Sequence, residues 1–212
     1  MTAKRIFDLC LVIPGLILLS PVLLLLALCV KLDSRGPIFF RQIRTGFKGK
    51  PFSILKFRSM IVNAEKQGLQ ITASGDSRIT RVGRILRKTK LDELPQLFNV
   101  ARGEMSLVGP RPEVPRYTQL YTPEQAQVLD YLPGITDPAS IAFRHEESIL
   151  AASKNPDETY VQKIMPEKIR INLEYQKQAD VFTDLLVIFR TFTSIFTRSS
   201  ATPPKLRTDG QP

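Results

Sequence analysis

Histidine occurs once in the 212 residues, at His145, and cysteine twice, at Cys10 and Cys29. One imidazole excludes a multi-histidine metal centre, and no G-x-S-x-G sequence surrounds a serine that it could activate. His145 by itself reads as a surface or capping residue. The two cysteines, both inside one apolar stretch, are too few for a disulfide framework and lack metal-ligand spacing. They read as small buried hydrophobes. There is no G-x-x-x-x-G-K-[ST] phosphate loop and no internal repeat, and the glycine-rich stretches are turns. What remains for chemistry is carboxylates and arginines, with room for a hard metal ion.

Positive charge is abundant. Thirty Lys and Arg against twenty Asp and Glu give a formal net charge of +10. Such an excess asks for an anionic partner: nucleic acid, acidic lipid headgroups or phosphorylated substrates. Composition does not choose among them. With 43% hydrophobic and 24% charged residues, a packed core is attainable. The length suits one compact domain plus an anchoring segment.

From Leu9 to Val30 no side chain is charged. As a helix rising about 1.5 Å per residue, this run would just cross a hydrocarbon core of roughly 30 Å. A cleaved signal peptide fits poorly, because the run is long and no A-x-A-like site follows. Two readings stay open. A spanning helix is the simpler one, but Pro14-Gly15 and Ser20-Pro21 interrupt it, and each proline removes an amide donor. Basic residues also flank both ends (Lys4 and Arg5; Lys31, Arg35, Arg41 and Arg44), which leaves the positive-inside rule without a preference. A re-entrant hairpin broken at Ser20-Pro21 removes both difficulties. Its arms of about 11 residues reach one leaflet deep. Both basic flanks then return to the anionic face, and the Ser20 hydroxyl can meet a freed carbonyl.

Beyond Gly36-Pro37, Ile38 to Phe40 and Phe52 to Phe57 read as a β-hairpin around turn chemistry at 45–51. Residues 61–66 look helical and 68–77 look like a mobile polar loop. Gln96 to Val100 makes a short helix and Met105 to Val108 a buried extended segment. Pro133 to Pro138 reads as a rigid loop. A long helix over 157–178, interrupted near Pro166, precedes a second apolar zone, Val181 to Phe196. Asp184 and Arg190 make that zone too polar to span, so it packs in the core or lies along the membrane interface, and the anchor nearby favours the interface. The tail 199–212 is expected to be disordered.

The most charged stretch holds Arg78, Arg81, Arg84 and Arg87 at three-residue spacing, then Lys88 and Lys90. On a helix these share one slowly drifting face. The bland reading is a solvated or lipid-facing surface. The alternative is a site, since the run stops against Leu91-Asp92-Glu93-Leu94-Pro95, and cations beside paired carboxylates suit a phosphate-bearing substrate. Taken alone, Asp92-Glu93 also fits an acidic pair at a helix start. Pro110-Arg111-Pro112 brackets one guanidinium between two stiff residues, which suits it to presenting a fork to phosphate.

These motifs, in this order, resemble the bacterial sugar transferase family, the small monotopic phosphoglycosyl transferases. The resemblance is carried by Lys4-Arg5-Ile6-Phe7-Asp8 and Ser20-Pro21, then by Gly36-Pro37, Phe39, Gln42 and Lys56-Phe57-Arg58-Ser59-Met60. It continues through Asp76-Ser77-Arg78-Ile79-Thr80, Gly83-Arg84 and Leu86-Arg87-Lys88 to Leu91-Asp92-Glu93-Leu94-Pro95-Gln96-Leu97, Asn99 and Gly103 to Pro112. It runs from about Lys4 to Thr136. One departure follows: many members continue with Gly-x-Ala-Gln-Val-Asn-Gly-Arg where this chain has Asp137-Pro138-Ala139-Ser140-Ile141-Ala142-Phe143-Arg144.

The resemblance implies an α+β, mainly helical, monotopic membrane protein with a re-entrant helix turning at Ser20 and Pro21, a small β-hairpin and interfacial amphipathic helices. The implied division is 1–35 for the membrane helix, 36–198 for the catalytic domain and 199–212 for the tail. The implied activity moves a sugar-1-phosphate from a nucleoside diphosphate sugar, a UDP-sugar, to polyprenyl (undecaprenyl) phosphate at the cytoplasmic face of the bacterial inner membrane. This is the first step of lipid-linked glycan assembly. Asp92 would form a covalent aspartyl-phosphosugar and release UMP, with Glu93 beside it and Mg²⁺ held by Asp92 and Glu93. Arg87, Arg111, Lys56, Arg58 and Arg84 are the implied phosphate-binding residues. Nucleic acid is not an implied partner, lipid of one leaflet is, and a homo-oligomer is compatible. Two rivals from other classes are a membrane-tethered basic module without activity and a spanning scaffold.

Overall fold

The computed structural model describes residues 3–64 and 76–196. The chain opens with α1 (Ala3–Asp33), followed by β1 (Phe39–Thr45) and β2 (Pro51–Phe57). Next come α2 (Arg81–Thr89), a 3₁₀ turn (Leu91–Glu93), α3 (Gln96–Arg102) and β3 (Ser106–Val108). Short helices α4 (Pro115–Thr118) and α5 (Pro123–Ala126) lead to β4 (Gly134–Thr136). The chain then runs through α6 (Pro138–Ala142), α7 (Glu146–Ala151), α8 (Pro156–Thr159), a π-helical turn (Tyr160–Ile164), α9 (Met165–Gln176) and α10 (Val181–Phe196). The fold is mainly helical with little strand, as expected.

Helix α1 stays helical through both prolines, so the expected two arms are one element of 31 residues. The local chemistry explains how. Pro21 has no amide to give to the carbonyl four residues back, which belongs to Ile17. The Ser20 hydroxyl donates to that carbonyl at 2.7 Å instead.

One stripe of α1 packs on the rest of the protein along most of its length. Val12 joins Ile54, Val100 and Met105 in one cluster. Leu23 and Val30 join Phe57 and Leu86 in another, with Leu16, Leu19, Leu26 and Ala27 packed alongside. Spacings of three and four residues put these positions on one helix face. The opposite face carries Ile17, Leu18, Leu24 and Leu32, each more than 70% exposed. Cys10 lies exposed rather than buried, and Cys29 is half-buried. Helical rotation turns Cys10 away from the domain.

Both ends of α1 are tied down. Lys4 pairs with Asp184 of α10, and the backbone amide of Leu107 donates to Asp8 Oδ1 at 3.1 Å. Arg5 donates to the carbonyls of Val100 and Ala101, at the C-terminal end of α3. The leading basic flank is therefore spent on protein groups, not held for lipid phosphate. At the far end Asp33 accepts from the Val82 amide, near the start of α2.

Strands β1 and β2 form the expected antiparallel hairpin, with Phe39 opposite Phe57, and those two rings stack at 5.6 Å. The first strand runs five residues beyond Phe40. Residues 61–63 make a turn, with Asn63 at φ 63 and the Ala64 amide bonded to the Ile61 carbonyl, where helix was expected. The remainder of that helix, most of the polar loop and the tail lie outside the described residues.

Pro133 to Pro138 is more than a loop. Its β4 pairs in parallel with β3, Ser106 opposite Gly134 and Val108 opposite Thr136. At the crossing, a Cβ on Gly134 would sit 2.1 Å from the Gly109 nitrogen, so only glycine permits the approach. The long C-terminal helix is present, and its irregularity is the π turn just before Pro166. α10 spans the expected residues, burying Asp184 and Val187 and exposing Phe182, Phe189 and Phe192.

A single side chain locks the hairpin to α3. Asn99, wholly buried, accepts from the Leu55 amide at 3.0 Å and donates to the Ser53 carbonyl at 2.8 Å and Glu104 at 2.7 Å. Asn99→Ala leaves those groups without partners and is expected to cost about 2–4 kcal/mol. Thermal unfolding in detergent reads this directly, and an unchanged midpoint would show that the clamp is not structural.

Candidate active site

The carboxylate pair is set by a helix end. Thr80 caps the start of α2 by accepting from the Gly83 amide at 3.0 Å. A Cβ at Gly83 would meet the Ser59 carbonyl at 2.0 Å, so α2 lies directly on the backbone following β2. At the other end Lys90 adopts the left-handed conformation, φ 59, which stops α2 and swings the chain into the 3₁₀ turn carrying Asp92 and Glu93. Leu86 is buried under α2 while Arg81 and Arg84 face solvent. Arg78 lies ahead of the cap and pairs with Asp76 at 2.6 Å, so it is not on the helix with the other basic residues.

Three separate segments meet at Glu93. Lys56 from β2 donates to Oε1 at 2.8 Å, and Arg111 donates to the same oxygen at 2.7 Å. The loop bearing Arg111 is pinned around it. The Pro110 carbonyl accepts from the Gly134 amide at 2.9 Å, the Pro112 carbonyl from Arg44 at 3.1 Å, and the Glu113 carbonyl from the Thr45 amide at 2.9 Å. The guanidinium thus leaves a backbone fixed on both sides, as the two prolines suggest.

Asp92 and Glu93 are adjacent and electrostatically opposite. Burial works to raise the Glu93 carboxyl, but the charges of Arg111 and Lys56 and their hydrogen bonds win, holding it well below the ordinary range. Asp92 is pushed up, first by burial and then by the neighbouring Glu93 charge; Lys56, Lys90 and Arg87 pull it down only in part. Burial lowers Lys56 against the pull of Glu93, whereas Glu93 raises Arg111. Asp92 is 8% exposed, and its Oδ1 is buried with no hydrogen-bond partner. One carboxylate is clamped; the other keeps an oxygen free.

The structure therefore gathers Asp92, Glu93, Lys56 and Arg111, and places Arg87 near enough to act on Asp92 by charge. Arg84 is solvent-facing on α2. Arg58 belongs elsewhere: 5% exposed, it donates to the carbonyls of Val30, at 3.3 Å, and Ser34, at 2.6 Å, closing the C-terminal end of α1. A cation there also meets the negative end of the helix dipole. His145 is an exposed residue at the start of α7, away from this cluster. Lys90 and Asn99 were not among the expected site residues. Asn99 is named only among the residues that carry the resemblance; its local signal is a lone amide inside the apolar run Leu97 to Val100.

The buried, partnerless Asp92 Oδ1 fits a hard cation, which takes oxygen ligands from a carboxylate and from substrate phosphate. Glu93 fits less well, because its oxygens already receive Lys56 and Arg111.

The sequence pattern of the family described as "Bacterial sugar transferase" matches residues 1–198. A UDP-glucose:undecaprenyl-phosphate glucose-1-phosphate transferase of Caulobacter vibrioides is 38% identical over 201 residues, 93% of this chain and 71% of that protein. A UDP-N-acetylgalactosamine-undecaprenyl-phosphate N-acetylgalactosaminephosphotransferase of Aeromonas hydrophila is 36% identical over 200 residues, 92% of this chain. A transferase of Escherichia coli K12, named as the Caulobacter one is, is 38% identical over 205 residues. The chain spans 44% and 41% of the length of these last two.

The opposed carboxylates give opposite stability effects. Glu93→Gln leaves Lys56 and Arg111 facing each other without an anion. It is expected to cost about 2–4 kcal/mol, a little under a fully buried pair because Arg111 keeps some solvent contact. Asp92→Asn removes a charge that burial disfavours, so its melting temperature at neutral pH should equal or exceed that of the parent. If Asp92→Asn melts lower than Glu93→Gln, the assignment of clamp and free carboxylate is reversed.

Proposed function

The chain belongs to the bacterial sugar transferase family, and from that premise we propose that it transfers a sugar-1-phosphate from a UDP-sugar to undecaprenyl phosphate. The single observation carrying this reading is Asp92: a buried carboxylate with one free oxygen, beside an anion neutralised by Lys56 and Arg111.

In the first step an Asp92 oxygen attacks the phosphorus that bears the sugar. The bond from that phosphorus to the bridging oxygen breaks, and UMP leaves with the electron pair. In the second step an oxygen of the lipid phosphate attacks the same phosphorus and displaces Asp92, giving undecaprenyl-diphosphate-sugar and the free carboxylate. Two displacements through one carboxylate let a water-soluble donor and a lipid acceptor visit the site in turn. Arg111 and Arg87 neutralise the transferring and leaving phosphates. Lys56 keeps Glu93 ionised, and Glu93 in turn orients Arg111. Mg²⁺, held by Asp92 with donor phosphate oxygens, would supply further charge neutralisation.

The anchor is read as monotopic, inserted in one leaflet at the cytoplasmic face of the inner membrane. Support comes from α1 itself, which is long and apolar enough to cross a bilayer but lies with one face along the domain and is tied to it at both ends. Helix α10 is tied to α1 on its buried side by Lys4 and Asp184 and leaves its aromatic face exposed, as an interfacial helix would.

The test is UMP release by the full chain in lipid vesicles containing undecaprenyl phosphate, with Mg²⁺ and a panel of UDP-sugars. Asp92→Asn is expected to lose about 1,000-fold or more. With donor alone, the parent should release about one UMP per chain and gain the mass of a phosphosugar. An Asp92→Asn variant that turns over at the parental rate sinks the mechanism. The pH profile offers a second measurement. Asp92 attacks only when ionised and its pKa is raised, so kcat/KM should fall on acidification at a pH above the ordinary aspartate value of about 4.

A further inference from the structure

Helix α2 carries its charge on the side turned from the core. Arg84, Ile85 and Lys88 follow Arg81 at three, four and seven residues, so the four share one helix face. All four are exposed, Ile85 by 63%. Val82 and Leu86, on the inner side of α2, pack in the cluster that holds Leu23 and Val30 of α1. Ile85, three residues after Val82, stands at the edge of that contact with the membrane helix.

The end of α1 and the turn after β2 complete the patch. Asp33 accepts from the Val82 amide at 3.0 Å, the Ser59 carbonyl from the Thr80 amide at 3.1 Å, and the Arg78 carbonyl from the Ile61 amide at 2.9 Å. A Cβ on Gly36 would meet Val62 Cγ2 at 2.6 Å, which seats Val62 against the backbone just past α1. These ties gather Leu32, Ile61, Val62 and Ile85, all exposed, around the point where α1 ends.

Arg35, Arg81, Arg84 and Lys88 are exposed with them, and none has a carboxylate partner among the described residues. The two described carboxylates of these segments are engaged, Asp33 by the Val82 amide and Asp76 by Arg78. Cations without counter-ions beside bare hydrocarbon match a surface that offers phosphate and acyl chain together. Phosphate groups would take the charged heads while Ile85 and Val62 enter the boundary below them. A free phosphate would meet only the charge. The opposite end of α1 has no such surface, because Lys4 and Arg5 are bonded to protein groups.

We infer that the exposed face of α2, together with the end of α1, binds the headgroups of anionic phospholipid. The inference rests on the one-leaflet insertion of α1 proposed above. Helix α2 leads directly into the turn that bears Asp92, so this second lipid contact fixes the tilt of the site.

The sequence has no tryptophan, so a single introduced one reports only its own surroundings. The full chain carrying Ile85→Trp is placed in phosphatidylcholine vesicles, and its emission is titrated with brominated phosphatidylglycerol or brominated phosphatidylcholine. Phosphatidylglycerol should quench at about fivefold lower mole fraction, the effect of roughly one surface charge. Adding Arg81→Gln and Lys88→Gln should bring the two lipids within about twofold of each other, and molar salt should do the same. Val62→Trp carries the measurement if Ile85→Trp does not fold. Leu24→Trp, on the exposed face of α1, is the reference. Equal quenching by both lipids at position 85 overturns the inference, as does emission that neither lipid quenches. In either case a quenched Leu24→Trp leaves the one-leaflet reading standing. Absence of quenching at positions 24, 62 and 85 overturns both.

Discussion

Glu93, held between Lys56 and Arg111, is the contact on which the rest of the site depends. Its partners lie 37 residues before it and 18 after it, on a strand and on a proline-bracketed loop. One anion therefore fixes the hairpin, the 3₁₀ turn and the Arg111 loop relative to one another. Without it, two half-buried cations would repel across the same space. The cost of enclosing three charges is met because each finds its opposite at hydrogen-bond distance.

Satisfying Glu93 so fully leaves its neighbour Asp92 in a different state. It sits in the same desolvated turn, feels the Glu93 charge, and has no bond on Oδ1. Two adjacent carboxyls with pKa values pushed in opposite directions leave one as a fixed counterion and the other, in the reaction proposed above, as the attacking group. A solvated acidic pair at a helix start, the bland reading of Asp92-Glu93, would show neither burial nor this divergence. The same argument weighs against a merely basic binding module, in which the acidic pair would have no role.

The parts of this arrangement legible in the sequence were those written in short-range chemistry. The basic run ending against Asp92-Glu93, the stiff Pro110-Arg111-Pro112 and the turn between β1 and β2 each depend on neighbours a few residues away. What was not legible depends on long-range pairing. Arg58 looks like a phosphate ligand within Lys56 to Met60, yet it lies just past the end of β2, where its side chain runs under the end of α1 and is spent on the Val30 and Ser34 carbonyls. Lys4 and Arg5 look like lipid-facing charges, but their partners, Asp184 and the α3 carbonyls, are about 100 or more residues away. The parallel pairing of β3 and β4 hinges on two glycines, Gly109 and Gly134, each of which alone resembles a turn residue. Ser20 was read correctly as a partner for a freed carbonyl, and that bond lets the helical hydrogen bonding pass Pro21.

These long-range ties bear on how a chemical site comes to sit at a fixed depth. An anchor joined by a flexible linker would leave Asp92 wandering relative to the bilayer. Here α1 shares its core with the elements that carry the site: Val30 and Leu23 pack with Leu86 of α2 and Phe57 of β2, next to Lys56. Arg58 and Asp33 close the junction where α1 hands over to the domain. Any tilt of the helix in lipid is therefore transmitted to the turn that bears Asp92 through packed side chains, not through a loop. Helix α1 and the candidate site share one packed core, so under the one-leaflet insertion proposed above the depth of the apolar face decides the height of the carboxylate.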